Sequence, residues 1–334
     1  MRVAIRADAS PSQGAGHVMR SITLAKSLSD QGFDVTFASS ITNVPWLSKY
    51  VMESGISVKS VPKNSLQQVL VDVPPFDLVV VDSYEIPSKD ISFLNTCVPV
   101  LAIIDGFDRG IEASIFLDQN LGSEVNVNNS SYLDSLVLFG SKYTLVRREV
   151  LEARRIILPK PRALEERKLL VFLGGTDPNN YVVEVAGFLA RTAIKSITFI
   201  APRSLHEEIL KLMLGRNCKV LEFTQELPKI IAQFDAVISA SGTSAWDIAT
   251  IGTPGGFLCV AENQQESIST IERFGVGLGL GNLTKADFDE QHFISAAESL
   301  VYDDEIRSQL FRKCRENFDG KGSIRVTDAV LTYL

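Results

Sequence analysis

Short unbroken apolar runs alternate along this chain with longer stretches of helical spacing. The run VAIRAD (residues 3–8) precedes residues 17–32, where Val18, Ile22, Ala25 and Leu28 recur at three- and four-residue intervals before Gly32. This predicts a strand and then an amphipathic helix. Strands are expected again at 33–39, 56–61 and 77–84, with a helix at 47–54. The Val/Leu run DLVVVDSY ends in Asp82, and VPVLAIIDGFD repeats the pattern and ends in Asp105. SIFLDQN and LVLFGS are two further candidate strands. Runs of this kind suit strands covered on both faces, as in a parallel sheet.

Residues 152–168 break the rhythm with charges and prolines, the composition of a linker. The alternation then restarts. KLLVFL, SITFIAP, CKVLEF, DAVISASG and GGFLCV read as strands, with helices at 180–192, 287–300, 304–317 and 323–334. The expected fold is α/β, with two Rossmann-like domains facing across a cleft. The first, residues 1–153, holds the candidate histidine. The second, residues 154–334, is the nucleotide side, and its last helix is a candidate to pack back on the first. A length of 334 residues also exceeds the usual size of one core.

Composition narrows the function. With 45% hydrophobic and 22% charged residues the chain is an ordinary globular protein. A net charge of −7 speaks against nucleic acid as a partner, which calls for a basic face. No apolar run is long enough to cross a membrane, and the N-terminus turns polar after Ile5. No membrane insertion is therefore expected, and the expected location is cytoplasmic. The four cysteines lack metal or redox spacing and read as reduced thiols. The three histidines lack zinc-ligand spacing, so no metal and no cofactor are expected. The oligomeric state stays open.

The candidate chemistry lies in three glycine loops that each follow a strand. GAGHVMR brings Gly14, Gly16 and His17 to a helix start, where unpaired N–H groups form an anion cradle. A histidine there can change charge near neutral pH beside a ligand. The second loop carries Gly174, Gly175 and Thr176. The third carries Ser241, Gly242, Thr243 and Ser244, and is the best phosphate candidate. Asp247, on the first turn of the helix that follows, suits ribose hydroxyls or, alternatively, merely complements the helix dipole. Asp8 either orients the imidazole or caps the next turn. Arg20 meets either an anionic ligand or a carboxylate. Asp82, Tyr84 and Asp105 end strands, where carboxylates reach ligands or cap helices. His206 and His292 read as solvated.

Several segments together resemble a known family. They are RADASPSQGAGHVMRSITLA, VVVDSY, DQN (118–120), FGSKYTLVRREV, FLGGTDPNN, ISASGTSAWDIATIGTP and AENQ (261–264). In this order they resemble the pseudaminic-acid pathway nucleotide-sugar hydrolases, also called spore coat polysaccharide biosynthesis protein G. GT-B glycosyltransferases such as the lipid II synthase share the last two segments in looser form. The resemblance implies a GT-B fold and a metal-independent hydrolase. It implies inverting C–O cleavage of a UDP-linked 2,4-diacetamido-2,4,6-trideoxy hexose, within surface polysaccharide biosynthesis. His17 then matches the family's catalytic histidine and Tyr84 a tyrosine near the sugar phosphate. Asn263 matches a ligand-side asparagine, with Gln264 beside it in the nucleotide set. Arg20, Asp82 and Asp105 fall on the sugar side. Many members have His at Ser83, Asp at Gly106 and Glu at Asp247; the first two differences fall on the sugar side, and Asp for Glu keeps the ribose-binding chemistry with a shorter reach. Glycosyl transfer and non-catalytic nucleotide-sugar binding are the rival readings. Lys49, Lys59 and Lys63 are spread out and offset by Glu53 and Asp72, which favours water over a membrane acceptor.

Overall fold

The computed structural model describes residues 1–11, 13–63, 65–66, 75–106, 109–126, 129–156, 162–174, 177 and 179–334. It comprises two compact units: Met1–Arg147 with Gly320–Leu334, and Arg148–Asp319.

The first unit holds β1 (Arg2–Ala7), β2 (Asp34–Ser39), β3 (Ser57–Ser60), β4 (Leu78–Asp82), β5 (Val100–Ile103), β6 (Ile115–Asp118) and β7 (Leu136–Phe139). Their order is β3-β2-β1-β4-β5-β6-β7, and every pairing is parallel. The apolar runs explain this order. β4, β5 and β6 are buried at every position, as strands covered on both faces must be. The edge strand β3 is mostly exposed. Helix Gly16–Asp30 buries the expected stripe of Val18, Ile22, Ala25 and Leu28, and with it Arg20 and Ser21. The order reverses between β1 and β4, whose registers pair Ala7 with Asp82. Sheets of this type collect ligands at the carboxyl ends of such a reversal.

The terminal helix, Gly322–Tyr333, belongs to this first unit and lies on helix Gly16–Asp30. Its Ser323 hydroxyl accepts from the Val146 N–H at 3.1 Å, and Thr327 meets Ser27 at 2.8 Å. A Cβ on Gly322 would come within 2.1 Å of the Thr144 carbonyl oxygen, so the contact requires glycine.

The second unit holds β8 (Lys168–Phe172), β9 (Ser196–Ile200), β10 (Asn217–Leu221), β11 (Ala236–Ala240), β12 (Gly255–Cys259) and β13 (Leu278–Asn282). The order is β10-β9-β8-β11-β12-β13, again parallel throughout. The reversal here falls between β8 and β11. Helix Arg148–Ile156 and β13 are two of the elements that depart from the sequence reading. Helix Arg148–Ile156 occupies the start of the expected linker, burying Val150 and Ala153 beneath its charges, while residues 157–161 lie outside the described set. β13 escapes the sequence reading because glycines interrupt its apolar run. Packing explains the glycine just before it: a Cβ on Gly277 would lie 2.4 Å from the Phe257 ring.

All four cysteines are unpaired. Among the described residues, no helix is long and apolar enough to cross a membrane.

Candidate active site

The carboxyl edge of the first sheet is built from charges that hold one another. After β1 the chain turns through Gly14, at φ +78°, whose N–H bonds the Ser10 carbonyl at 2.9 Å. Helix Gly16–Asp30 then starts without a side-chain cap. His17, in its first turn, leaves 15% of its side chain exposed. Its Nδ1 lies 2.6 Å from Asp82 Oδ1, at the end of β4. An Arg20 nitrogen also lies 3.2 Å from Nδ1. The two contacts require opposite tautomers. Asp82 is ionised and can only accept, and its contact is the shorter, so Nδ1 carries the hydrogen. Nε2 is then the basic nitrogen, and it has no hydrogen-bond partner among the described residues. The Tyr84 ring stands edge-on to the imidazole, with centroids 4.7 Å apart.

Arg20 is clamped between two carboxylates. Its Nε and one terminal nitrogen donate to Asp82, each at 2.7 Å. Both terminal nitrogens donate to Asp105, at 2.7 and 2.8 Å. Of the two partners expected for Arg20, the carboxylate is the one the fold supplies. Ser21 adds a hydroxyl to Asp82 at 3.0 Å, and the Tyr84 hydroxyl donates to Asp105. Burial pushes the Asp82 and Asp105 carboxyls up, but Arg20, helped by His17, outweighs it and holds both below their ordinary range. Burial and the adjoining Asp105 charge push the Tyr84 hydroxyl well up, so it stays a donor. Asp82 and Asp105, expected beside a sugar, thus serve first to fix His17 and Arg20.

The two roles expected for Asp8 were orienting the imidazole and capping a turn. Its carboxylate pairs bidentately with Arg6 and accepts from the Ser40 N–H at 2.7 Å. The carboxylate on His17 is Asp82, which parallel pairing brings level with β1. The sequence reading misses Arg6. This residue is fully buried and also donates to the carbonyls of Ser65 and Pro62, each at 3.1 Å. The period of two that puts Arg6 and Asp8 on one strand face was the available signal. Arg109 is missed as well; it donates to the carbonyls of Ser83 and Ile86, at 2.6 and 2.5 Å, bracing the turn that carries Tyr84. Nothing local marks that contact.

The second unit carries no comparable charge cluster among the described residues of its matching edge. β11 runs through Ser241 and Gly242 into helix Thr243–Ile251, which starts on Gly242 without a side-chain cap. The Ala245 N–H bonds the Gly242 carbonyl at 2.9 Å, which leaves the N–H groups of Thr243 and Ser244 to face an anion. Ser241 donates to the Gln264 carbonyl at 3.3 Å, while Gln264 Oε1 accepts from the Val260 N–H at 3.0 Å. The Gln264 amide nitrogen would lie 3.4 Å from a Cβ on Gly242, so it stands over the loop. Thr243, Ser244 and Asp247 are half-buried around the helix start. Gly174 takes φ +92° after β8. Asp177 follows, accepting from the N–H groups of Tyr181 and Val182 at 3.0 and 2.9 Å. Gly175, Thr176 and the Asn263 side chain lie outside the described set. His206 is half-buried and contacts the Ala201 carbonyl at 3.0 Å, so it is less solvated than expected; exposed His292 contacts the Gly279 carbonyl at 3.0 Å. Among the described residues, no group of His, Cys, Asp and Glu is arranged to hold a metal ion.

No protein-family model matches the chain. It is 25% identical to spore coat polysaccharide biosynthesis protein SpsG of Bacillus subtilis, over 98% of this chain and 97% of that protein. It is 24% identical to the UDP-2,4-diacetamido-2,4,6-trideoxy-beta-L-altropyranose hydrolase of Campylobacter jejuni, over 82% of this chain and 97% of that enzyme. An uncharacterized protein of Methanocaldococcus jannaschii is 25% identical over 80% of this chain, which spans only 57% of that protein's length. These relatives bear out the resemblance read from the motifs. Among solved structures, the UDP-GlcNAc 2-epimerase of Neisseria meningitidis aligns over 99% of this chain and all of its own. The TM-score is 0.72 at 14% identity. MurG of Acinetobacter baumannii aligns over 99% of both chains, with a TM-score of 0.68 at 14% identity. The fold is that of the GT-B glycosyltransferases and epimerases.

Proposed function

We propose that this protein is an enzyme acting on UDP-sugars, and that it hydrolyses a UDP-linked deoxy amino sugar to UDP and the free sugar. The single observation that carries the reading is the Asp82–His17 pair, which leaves Nε2 as a basic nitrogen on an ordered ring. A glycosyl diphosphate already has a good leaving group, so the enzyme must stabilise the departing pyrophosphate and aim a water. His17 Nε2 takes a proton from that water as its oxygen bonds the anomeric carbon. The glycosyl C–O bond breaks, its electron pair stays on the diphosphate oxygen, and the anomeric configuration inverts. The uncapped start of helix Thr243–Ile251 suits the diphosphate, through N–H groups and hydroxyls at the loop. Asp247 is assigned to the ribose, with Asn263 and Gln264 alongside the nucleotide. The SpsG and hydrolase relatives support both the substrate class and a role in surface polysaccharide synthesis.

The test incubates purified protein with UDP-, GDP- and CMP-sugars, with and without candidate acceptors. Free sugar and UDP without any acceptor are expected. UDP release only with an acceptor would replace hydrolysis by transfer. Binding without turnover across the panel would overturn the enzyme reading.

A further inference from the structure

We propose that Asn120, held by the Asp118 carboxylate, is a positioning residue that fixes Asp105 and, through it, the Arg20 and Tyr84 groups around His17. Its catalytic consequence rests on the hydrolase reading; its structural consequence does not.

Asp118 ends β6 and is almost fully buried. Its Oδ1 accepts from the Asn120 N–H at 3.0 Å and from Asn120 Nδ2 at 2.8 Å. Its Oδ2 accepts from the Gly106 N–H at 2.8 Å. The Asn120 amide nitrogen also donates to Asp105 Oδ1 at 2.8 Å. One amide nitrogen therefore directs both hydrogens to two carboxylates, which fixes the orientation of the amide, since its oxygen could satisfy neither. Asp118 holds Asp105 twice: through the side chain by way of Asn120, and through the backbone at Gly106, the next residue. Asp105 in turn carries two Arg20 bonds and the Tyr84 hydroxyl. Tyr84 and Arg20 both touch the His17 ring. Asn120 reaches His17 only through these groups.

The surroundings make this hold sensitive to protons. Asp105, on the loop after β5, is the charge that faces Asp118. Glu124 packs against Gly140 at the end of β7. Arg20 and Tyr84 lie on the far side of Asp105. Burial and the Asp105 charge push the Asp118 carboxyl up, Asn120 and Gly106 pull it partly back, and it settles at about 7. The ionised form accepts these three N–H bonds more strongly than the neutral acid, so the hold on Asp105 weakens as pH falls through that value.

Asn120→Ala and Asp118→Asn are compared with the parent protein. Expected for each is a fall in kcat of about 10- to 100-fold, typical of a misplaced catalytic group, with KM little changed. The parent's rate should decline towards that of Asp118→Asn as pH falls through about 7. Two measurements need no turnover. Carboxyl 13C NMR should show Asp118 titrating near neutral pH, and the His17 ring 15N signals should shift in folded Asn120→Ala. Unchanged His17 signals in that folded variant, or an unchanged kcat where the parent is active, would overturn the proposal. Absent turnover with shifted His17 signals would sink the hydrolase reading and leave the positioning role standing.

Discussion

The two units use one doubly wound topology and place opposite materials at matching strand ends. In the first, the turns after β1, β4 and β5 carry His17, Asp82, Tyr84 and Asp105, gathered around a buried Arg20. In the second, the turns after β8 and β11 carry glycines and hydroxyls around an uncapped helix start, with a glutamine amide standing over them. The sheet reversal supplies the location in both cases. The residues decide what happens there: mutually bonded charges orient one ring nitrogen, whereas glycine and backbone N–H groups leave room for an anion. Burying charges is expensive, and the first unit tolerates it only because each carboxylate has charged or N–H partners. A site of that kind breaks when one member is removed. Removing one group from the second should cost little stability and mainly weaken the proposed diphosphate binding.

The sharpest way to break the contrast is His17→Asn. It should lower kcat by about a hundred- to ten-thousand-fold while UDP affinity, read by calorimetry, is retained; loss of UDP binding instead would place the histidine among the nucleotide contacts. Next in size, Arg20→Ala leaves two buried carboxylates without their cation. Denaturant unfolding should show a loss of roughly 3–5 kcal/mol, and a loss near zero would mean that the charge cluster is not buried in solution.

Acid sharpens the comparison within the first unit. Asp82 and Asp105 are held below their ordinary 3.8, so the stability they contribute is present above that pH and lost as pH falls beneath it. Asp118 has the opposite sign: raised to about 7, it favours the folded state most below its ordinary 3.8 and loses that contribution as pH rises through 7. Thermal melts between these values should therefore decline with rising pH in the parent, and less so in Asp118→Asn. The smallest effect belongs to Gly242→Ala. A Cβ there meets the Gln264 amide at an ordinary 3.4 Å, so stability should change by no more than about 0.5 kcal/mol, while UDP binding weakens.

The amino-acid sequence alone determined the alternation of strands and helices, the amphipathic stripe of helix Gly16–Asp30, the glycine turns, and His17 as the candidate reactive residue. These are signals of period and adjacency, carried within a few residues. Only the tertiary structure decided which carboxylate holds the imidazole, because Asp82 lies 65 positions from His17 and Asp105 lies 85 from Arg20. It also revealed β13, whose neighbouring glycine answers to the Phe257 ring, and the Arg6–Asp8 and Asn120–Asp118 pairs. Asp82 and Asp105 meet their partners by the geometry that parallel pairing imposes, which has no trace in local spacing, whereas Arg6 and Asp8, like Asp118 and Asn120, stand two residues apart and carried that local signal.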